Sequence, residues 1–571
     1  MSNLTRIFLY LLALTIVPVA RGQLTCTTNN GAITITHYNP AAGYDVVVPA
    51  STNGYPVVSI GDNAFRNVLI TNVTLPDSVT NIGNYAFYTC FRLRGAAIGS
   101  GIVTIGSYAF GECTNLTSVT IPNTATNIGD HAFYSCSSIT NIAVDPANPA
   151  YCTLDGVLFN NAQTTLIQYA LGLTNENYII PNSVTNIGPH AFYLCASLTS
   201  VTIGSGVNIG DYAFQRCTSL TNIAVDAANP TYSSLDGVLF DKAQTTLIQY
   251  AIGRPNYSYT VPNSVATIGI NAFSYGTKLA SATIPDTVTN MGLNAFMFST
   301  SLTNVTIGSG VTDIGGFAFM GCPSLTSVTI GRGVTTIGQF AFQRCSSLTN
   351  IVVDGANPAF SSLGGVLFNK AQTTLIQYAI GFTNNSYTIP TSVTTIGDFA
   401  FQDGTNLTSM TIPNKVTTIG YNAFGFCTNL TNVTFGSGVT TIANVAFFAC
   451  TSLTNLTFQG NAPTLGGTSV FSGPPSARAK VYYYSNTTGW GSTYGGLPTV
   501  MLIRPQIANS SLISGNFGFT VAATNNQTVM VEASTNLLNW QPVWTNTLSG
   551  TSTNFTDPQS GNYPRRFYRL R

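Results

Sequence analysis

The residues best suited to chemistry are aspartates that recur as pairs in three near-identical segments. In each segment one aspartate precedes an x-Ala-Asn-Pro turn, and in two of the three segments another precedes Gly-Val-Leu-Phe. They are Asp145 with Asp155, Asp226 with Asp236, and Asp354, whose expected partner position holds Gly364. Paired carboxylate oxygens are ligands that Ca²⁺ prefers, but an aspartate before a turn also accepts a main-chain hydrogen bond in an Asx turn. Because one pair is incomplete, the pattern favours Asx turns over a calcium site.

Nine of the eleven cysteines occupy one fixed position, three residues after the phenylalanine of an Ala-Phe pair. They are Cys90, Cys113, Cys136, Cys195, Cys217, Cys322, Cys345, Cys427 and Cys450. Val68, Gly276, Ser299 and Gly404 take the same position elsewhere, so small side chains interchange there and no required disulfide is indicated. We interpret the nine as free or mostly free buried thiols, and assign no partner to Cys26 or Cys152. No Cys-x-x-Cys pair with zinc spacing occurs.

The three histidines do not form a catalytic pattern. His131 and His190 occupy the variable position before Ala-Phe, where Tyr, Asn or Phe usually stands, and His37 is isolated. The sequence contains no Gly-x-Ser-x-Gly, His-Glu-x-x-His or P-loop motif. These observations predict no catalytic residue, no metal site and no cofactor, and hence a protein that is not an enzyme.

The charge and the first residues bear on partners and location. Twenty Lys and Arg against nineteen Asp and Glu leave a net charge of +1, which gives no case for nucleic acid. Arg6, an apolar run over 7–19 and the small residues Ala20 and Gly22 are typical of a secretory signal peptide over 1–22, with a mature start at Gln23. The alternative is a membrane anchor, but the run is shorter than the roughly 20 residues that span a bilayer. We expect a secreted or cell-surface protein without a transmembrane segment after signal removal.

All these positions belong to a repeat, of which Leu116 to Cys136 (LTSVTIPNTATNIGDHAFYSC) is a clean copy. The Ala-Phe pair recurs thirteen times, at spacings of 22, 23 or 59 residues, and 59 is one 23-residue copy plus a 36-residue insert. A fixed period in the twenties is the sequence signature of a solenoid. The phenylalanines are Phe65, Phe87, Phe110, Phe133, Phe192, Phe214, Phe273, Phe296, Phe319, Phe342, Phe401, Phe424 and Phe447.

Each copy predicts one coil of a mainly β solenoid. Residues 116–121 form a short strand with Leu116, Val119 and Ile121 inward, and Pro122 ends it because proline cannot donate to a ladder. Residues 125–128 form a second short strand. Asp130 is placed to cap a short helical or 3₁₀ turn that carries Phe133 inward. Stacked coils then bury a continuous core that no single coil buries alone.

The remaining segments complete the domain prediction. The inserts begin at Val144, Val225 and Val353, and their GVLF and TTLIQYA runs predict a β-hairpin, favoured as an enlarged coil over a projection. Residues 23–58 are assigned to an N-terminal cap, 59–458 to the solenoid with its three inserts, 459–502 to a C-terminal cap, and 503–571 to a small antiparallel β-sandwich-like domain.

The C-terminal cap gathers aromatic residues, among them Tyr482, Tyr484 and Trp490. We favour their covering the open end of the core. The alternative is a carbohydrate-stacking surface made by these three residues.

The Ile-Pro-x-x-Val-x-x-Ile-Gly-x-x-Ala-Phe-x-x-Cys strings and the Asn-Pro-containing inserts resemble the leucine-rich repeats of BspA-like surface proteins of bacteria and protists. The resemblance spans residues 59–458. Residues 503–571 resemble a C-terminal module of many secreted bacterial proteins, in the string VEASTNLLNW. The resemblance implies extracellular binding, such as adhesion, and offers no ligand motif to transfer.

Two functions follow as hypotheses. The first is a non-enzymatic binding or adhesion protein with a protein or glycan partner, met by exposed threonines such as Thr117, Thr120, Thr303 and Thr306. The second is a structural spacer or envelope scaffold that displays the C-terminal module. The sequence identifies neither the ligand nor the oligomeric state.

Overall fold

The computed structural model of the protein describes residues 24–39, 43–472, 479–513 and 515–571. The chain divides into two compact units, Met1–Leu279 with Met291–Thr300 and Ala280–Asn290 with Ser301–Arg571. The predicted signal peptide, residues 1–22, lies outside the described residues. Within the described ranges, no helix has the length and apolar character to cross a membrane.

A long strand of three or four residues recurs from coil to coil, and between two inserts it pairs in parallel with its counterpart in the next coil, so that each insert ends one such ladder. Ser118 lies opposite Asn141 in the first unit, and Asn304 lies opposite Ser327 in the second. Like positions therefore stand side by side, about 4.8 Å apart. The long strands are Asp45–Val47, Asn72–Thr74, Gly95–Ala97, Ser118–Ile121, Asn141–Val144, Asn177–Ile179, Ser200–Ile203, Asn222–Val225, Ser258–Thr260, Ser281–Ile284, Asn304–Ile307, Ser327–Ile330, Asn350–Val353, Ser409–Ile412, Asn432–Phe435 and Asn455–Phe458.

A short strand follows in each coil and forms a second parallel ladder. Asn127 lies opposite Thr104 in the first unit, and Thr395 lies opposite Thr418 in the second. The short strands are Asn81–Ile82, Thr104–Ile105, Asn127–Ile128, Asn186–Ile187, Asn208–Ile209, Thr267–Ile268, Asn290–Met291, Asp313–Ile314, Thr336–Ile337, Thr395–Ile396, Thr418–Ile419, Thr441–Ile442 and Thr464–Leu465, and the last two residues of the longer strand Tyr55–Ile60 take the same place ahead of them.

The segment that carries Ala-Phe, which we call the Ala-Phe turn, consists of consecutive turns, whereas the sequence analysis expected a short helical or 3₁₀ turn. The residue before Ala-Phe has a positive φ in every copy, as at His131 (61°). A helix holds its N–H groups within one segment, but here alternate N–H groups reach the next coil, as from Phe87 to the Ala109 carbonyl at 2.7 Å. Asp398, at the position equivalent to Asp130, likewise bonds across coils, because it accepts the N–H of Tyr421 at 2.7 Å.

The phenylalanines of the Ala-Phe pairs stack ring on ring in the core. All thirteen are at most 2% exposed. Ring centroids lie 5.1 Å apart between Phe87 and Phe110 in the first unit, and 4.8 Å apart between Phe401 and Phe424 in the second. Burial of each ring contributes about 1.5–3 kcal/mol. The predicted inward column of phenylalanine is therefore confirmed within each unit.

The nine repeat cysteines are buried and form no disulfide, as the sequence analysis inferred. Seven of these thiols donate to the carbonyl of the Ala-Phe phenylalanine one coil earlier, as from Cys427 to Phe401 at 3.2 Å. Ser299 takes the same place and donates to Phe273 at 2.9 Å. Burial raises the pKa of Cys136 to about 12, so this thiol stays protonated. The position thus needs a small side chain that can donate one hydrogen bond across coils.

Each insert is a three-stranded antiparallel meander whose last strand joins the short-strand ladder. In the third insert, Thr374–Gln377 pairs in parallel with Thr395–Ile396, and the Tyr378 ring stacks on Phe401 with centroids 5.0 Å apart. The tyrosine of the insert takes the place of an Ala-Phe phenylalanine, so the predicted hairpin belongs to an enlarged coil. The insert strands are Tyr151–Leu154, Val157–Asn160, Thr165–Gln168, Tyr232–Leu235, Val238–Asp241, Thr246–Gln249, Phe360–Leu363, Val366–Asn369 and Thr374–Gln377.

A buried asparagine joins each insert to the coil before it. The Asn357 side chain donates from Nδ2 to the carbonyls of Gly331 and Val334, both at 2.9 Å, and accepts at Oδ1 from the N–H groups of Ala359 and Phe360. Asn148 and Asn229 make the same set of bonds. All four bonding capacities of this side chain are used inside the fold.

The aspartates of the inserts hold turns. Asp145 accepts the N–H of Ala147 at 2.8 Å, and the same Asx turn occurs at Asp226 and Asp354. Asp155 and Asp236 have positive φ values of 51° and 50°, and Gly364, at 56°, fills that position in the third insert. The Asx-turn interpretation is confirmed for the first aspartate of each insert. The second position requires left-handed backbone, which glycine adopts most easily.

The N-terminal strands pair ahead of the first coil. Leu24–Asn29 and Ala32–Tyr38 form an antiparallel pair, and the second of them runs parallel to Tyr55–Ile60, to which Ser51–Thr52 adds an antiparallel pair. Ile33, Ile35 and Tyr38 are buried against the repeat core.

The C-terminal residues form first an extension of the second unit's long-strand ladder and then two antiparallel sheets, as the fold-class prediction stated. Lys480–Tyr484 pairs in parallel with Asn455–Phe458 and Leu497–Leu502, and Thr493–Tyr494 pairs with the latter. The first sheet consists of Gln506–Ile513, Asn516–Ala522 and Ser552–Thr556. The second consists of Gln541–Thr547, Thr528–Ser534 and Phe567–Leu570, and a 3₁₀ turn lies at Ser560–Asn562.

The two sheets enclose a small core, in which Phe519, Val531 and Phe555 are buried. Arg569 meets the buried Glu532 carboxylate at 2.6 Å, and Arg566 meets Asp557 at 3.2 Å. Both arginines therefore pair with buried carboxylates.

The buried thiols give a first prediction. We expect a maleimide reagent to modify the folded protein at Cys26 and Cys152 only, because both are half-buried while the other nine cysteines lie in the core. Maleimide attacks the thiolate, which a buried thiol with a raised pKa does not form. Mass spectrometry after unfolding in guanidinium should count all eleven thiols. Modification of further thiols in the folded protein would contradict the buried column.

The buried asparagine gives a second prediction. Asn357→Ala should lower the free energy of unfolding by about 3 kcal/mol or more, because it leaves two carbonyls and two N–H groups without partners. The matched control is Asn304→Ala, since Asn304 is exposed and its amide makes one 3.4 Å bond to Thr303. Denaturant titration measures both. Equal losses in the two variants would refute a special role for the buried amide.

Candidate binding surfaces

The four threonines proposed from the sequence occupy two different positions. Thr117 and Thr303 precede the long strand, and their hydroxyls donate to the carbonyls of Arg94 at 3.3 Å and Ala280 at 2.8 Å in the preceding coil. These hydroxyls join coils, so their donor is already used within the fold. The same bond recurs at Thr140, Thr199, Thr221, Thr326, Thr349, Thr408, Thr431 and Thr454.

Thr120 and Thr306 point outward from the middle of their long strands, and both are exposed. In the second unit, the strand register sets equivalent outward residues side by side in one line, which we call the Thr–Tyr row. It consists of Thr411, Thr434, Thr457 and Tyr482. Neighbours in this row stand about 4.8 Å apart, at the spacing of paired strands. The row is a regular series of short hydroxyl side chains that ends on an aromatic ring.

The structure divides the predicted aromatic set between two faces of one strand. Tyr482 and Tyr484 point outward, whereas Tyr483 points the other way and stacks on Trp490 with centroids 5.1 Å apart. Trp490 also lies 5.0 Å from Phe458, at the end of the buried core. Side chains alternate along a strand, so Trp490 does not share a face with Tyr482. Trp490 lies against the repeat core, the position that the favoured capping interpretation gives it.

His131 and His190 face each other across the first insert. His131 Nε2 lies 2.8 Å from His190 Nδ1, and the ring centroids are 4.5 Å apart. Tyr108 stacks on His131, and Tyr212 contacts His190 from the other side. Burial, and then the neighbouring imidazole, lower the pKa of His190 to about 4, while Asp211 opposes this. The pKa of His131 is also lowered by burial.

The histidines belong to a column that the sequence analysis missed. The position before Ala-Phe places aromatic rings over one another, as for Tyr85 and Tyr108 at 5.0 Å and for Phe317 and Phe340 at 5.0 Å. The available signal was the recurrence of aromatic residues at that one position of the repeat. Among the described residues, no three His, Cys, Asp or Glu side chains form a group suited to a metal ion.

Comparison with known proteins identifies the repeat. Residues 52–149, 149–242, 255–374 and 377–488, more than half of the chain, match the model of the BspA type leucine rich repeat region. No curated protein matches the chain.

Similar solved structures are also repeat proteins. A leucine rich cell surface protein from Faecalibacterium prausnitzii is 27% identical over 72% of this chain and 93% of its own, with a TM-score of 0.39. A leucine-rich repeat protein from Eubacterium ventriosum is 23% identical over 76% of this chain and 94% of its own, with a TM-score of 0.38. One from Bacteroides ovatus is 21% identical over 81% of this chain and 98% of its own, with a TM-score of 0.31.

The histidine pair gives a prediction about pH. The unfolded chain takes up a proton near pH 6.5, whereas folded His190 does so only near pH 4. The pair's contribution to stability is therefore present above pH 6.5 and is lost as the pH falls towards 4. We expect a loss of about 1–2 kcal/mol, discounted because both rings are half-buried.

The matched variant is His131→Tyr/His190→Tyr, because tyrosine already fills this position at Tyr108 and Tyr212. Thermal melts between pH 7 and pH 4 should fall less steeply for the variant than for the native chain. Parallel curves would show that the pair does not titrate as described.

Proposed function

Because the chain belongs to the BspA-type leucine-rich repeat family, we propose that it is a non-enzymatic extracellular binding or adhesion protein. Its partner is an extended polypeptide or glycan, and the chain works in secreted form or at the cell surface. The division into cap, solenoid, second cap and C-terminal module is part of this proposal.

The observation that carries the proposal is the Thr–Tyr row. Main-chain pairing fixes Thr411, Thr434 and Thr457 in one register, so the row needs little ordering when a partner arrives. Ordering of flexible groups is a main cost of association. The low charge of the chain, at +1, leaves polar contacts as the means of recognition. Repeated weak hydrogen bonds along one line suit a partner that itself repeats.

The candidate surface is narrower than the one expected from sequence. Thr120 and Thr306 keep their place as outward residues, whereas Thr117 and Thr303 are assigned to bonding between coils. Tyr482 extends the row, and Tyr484 lies on the same face of its strand, with the Arg504 guanidinium 4.8 Å from its ring centroid. Trp490 is assigned to the core end.

The second candidate is a spacer that displays the C-terminal module. It is favoured by the module's own buried core, which includes Val521, Val529 and Leu548. A separate core is typical of an independent domain. In this case the outward threonines are a solvated surface and have no partner.

The prediction concerns the row. Thr411→Ala/Thr434→Ala/Thr457→Ala should weaken capture of a glycan or matrix-protein ligand found on arrays by about tenfold or more, since each lost hydrogen bond is worth about 1 kcal/mol. The matched control is Thr395→Ala/Thr418→Ala/Thr441→Ala, the same change on short strands of the second unit. Both variants should melt within a few degrees of the native chain.

If the full chain with the three substitutions in the row captures the ligand as strongly as the native chain does, the row is not the binding surface. Equal weakening by both triple variants would lead to the same conclusion. Absence of any ligand on the arrays would favour the spacer.

A further inference from the structure

The three inserts create three comparable junctions between Ala-Phe turns. At each one, the turn before the insert meets the turn after it: residues 129–136 meet 188–195, residues 210–217 meet 269–276, and residues 338–345 meet 397–404. Contacts mark each meeting, between His131 and His190 at a 4.5 Å centroid distance, between Gln215 and Ser274 at 3.4 Å, and between Phe340 and Phe399 at a 4.4 Å centroid distance. Each junction lies within one unit. The three junctions use equivalent positions of the repeat, but different side chains occupy those positions.

The first two junctions are filled by their own side chains. At the first, Tyr134 stacks on Tyr193 with centroids 4.7 Å apart. At the second, the Arg216 guanidinium lies 3.7 Å from the Tyr275 ring centroid. At both of these junctions, a glutamine of the insert is also buried.

This glutamine is Gln168 at the first junction and Gln249 at the second, and each is only 8% exposed. Gln168 donates to the carbonyls of Tyr169 and Ala191, and Gln249 donates to the carbonyls of Tyr250 and Ala272.

The third junction contains a cavity of about 160 Å³. Its insert glutamine, Gln377, is half-buried and donates to the Tyr378 carbonyl at 2.9 Å, without the second bond that Gln168 and Gln249 make. Its wall includes Phe340, Gln343, Arg344, Gln377, Phe399 and Gln402. The positions of Tyr134 and Tyr193 are taken here by Gln343 and Gln402, and the position of Tyr275 is taken by Asp403, so the third junction has none of the tyrosine rings that fill the first two.

The cavity wall carries an unused hydrogen-bond acceptor. Gln402 is 6% exposed, and its buried Oε1 has no partner among the described residues. The next residue, Asp403, has a buried Oδ2 that is also without a partner there. A buried polar atom without a partner costs about 1–3 kcal/mol. Native proteins rarely tolerate such atoms unless a water, an ion or a ligand satisfies them.

We propose that this cavity is a binding site for one sugar residue of a glycan. Amide groups of Gln343, Gln377 and Gln402 can both donate and accept, as neutral hydroxyl groups require. The half-buried Phe340 and Phe399 rings offer an apolar wall to the C–H face of a sugar ring. Arg344 and Asp398 line the cavity with opposite charges, so neither a cation nor an anion is favoured over a neutral polyol.

The site is separate from the Thr–Tyr row, because it lies between Ala-Phe turns and not on the long strands. It stands whether or not that row binds a partner. Burial raises the pKa of Asp403, which Arg344 partly offsets; the carboxyl beside the cavity therefore holds its proton more firmly than an exposed one and adds a further hydrogen-bonding group at its margin.

The test is saturation-transfer NMR on the full chain with free glucose, galactose, mannose and N-acetylglucosamine, each as a separate probe, and with lysine methyl ester as a cationic probe. At least one sugar should bind the native chain, with a Kd of roughly 1 mM, the strength expected of a small ligand with few contacts. Gln343→Tyr/Gln402→Tyr introduces the residues of the first junction at the same backbone positions. It should weaken sugar binding by about tenfold or more.

Two further variants make the result decisive. Gln402→Leu removes the unpaired acceptor, so it should raise the melting temperature and abolish sugar binding. His131→Tyr/His190→Tyr changes a filled junction and should leave sugar binding intact. The proposal is overturned if no sugar binds, if lysine methyl ester alone binds, or if both cavity variants bind sugar as the native chain does.

Discussion

The structure depends on hydrogen bonds that leave one coil and end on the next. Alternate N–H groups of the Ala-Phe turn, the parallel ladders and the threonine hydroxyls all bond across a coil boundary. A coil can satisfy these groups only if its neighbour presents a carbonyl at the same height, about 4.8 Å away. That requirement restricts the residue types at many positions of the repeat.

The fixed positions explain why the chain repeats itself so closely. The phenylalanine fills the core, and a thiol or hydroxyl three residues later bonds back to its predecessor, as Cys427 and Ser299 do. A glycine there, as at Gly404, gives up that bond but still fits. Threonine recurs before the long strand for the same reason, although its side chain lies near the surface and Arg94 and Ala280 take the position in other coils. An exposed, repeated residue is therefore not by itself evidence of a ligand.

The parts of the fold that could be predicted are those set by side-chain burial. The apolar positions of LTSVTI and the spacing of Ala-Phe predict the inward residues, because a buried side chain must face the core in every coil. The sequence did not reveal that His131 has left-handed backbone, since no glycine marks the position. The sequence also did not show that Tyr378 takes the place of an Ala-Phe phenylalanine, because the insert has no Ala-Phe pair. The cavity at the third junction is the space between side chains that lie 59 positions apart in the sequence. A local sequence pattern cannot show such a space.

The central claim is that each 23-residue copy is one complete, interchangeable coil. Its most direct test is a pair of deletions in the second unit, compared by thermal unfolding and far-ultraviolet circular dichroism. Deletion of residues 413–435 removes one full period and joins equivalent positions, so the shortened chain should keep its β spectrum and a cooperative melt. Deletion of residues 413–424 removes about half a period and should abolish the cooperative melt. Equal behaviour of the two deletions would contradict the account.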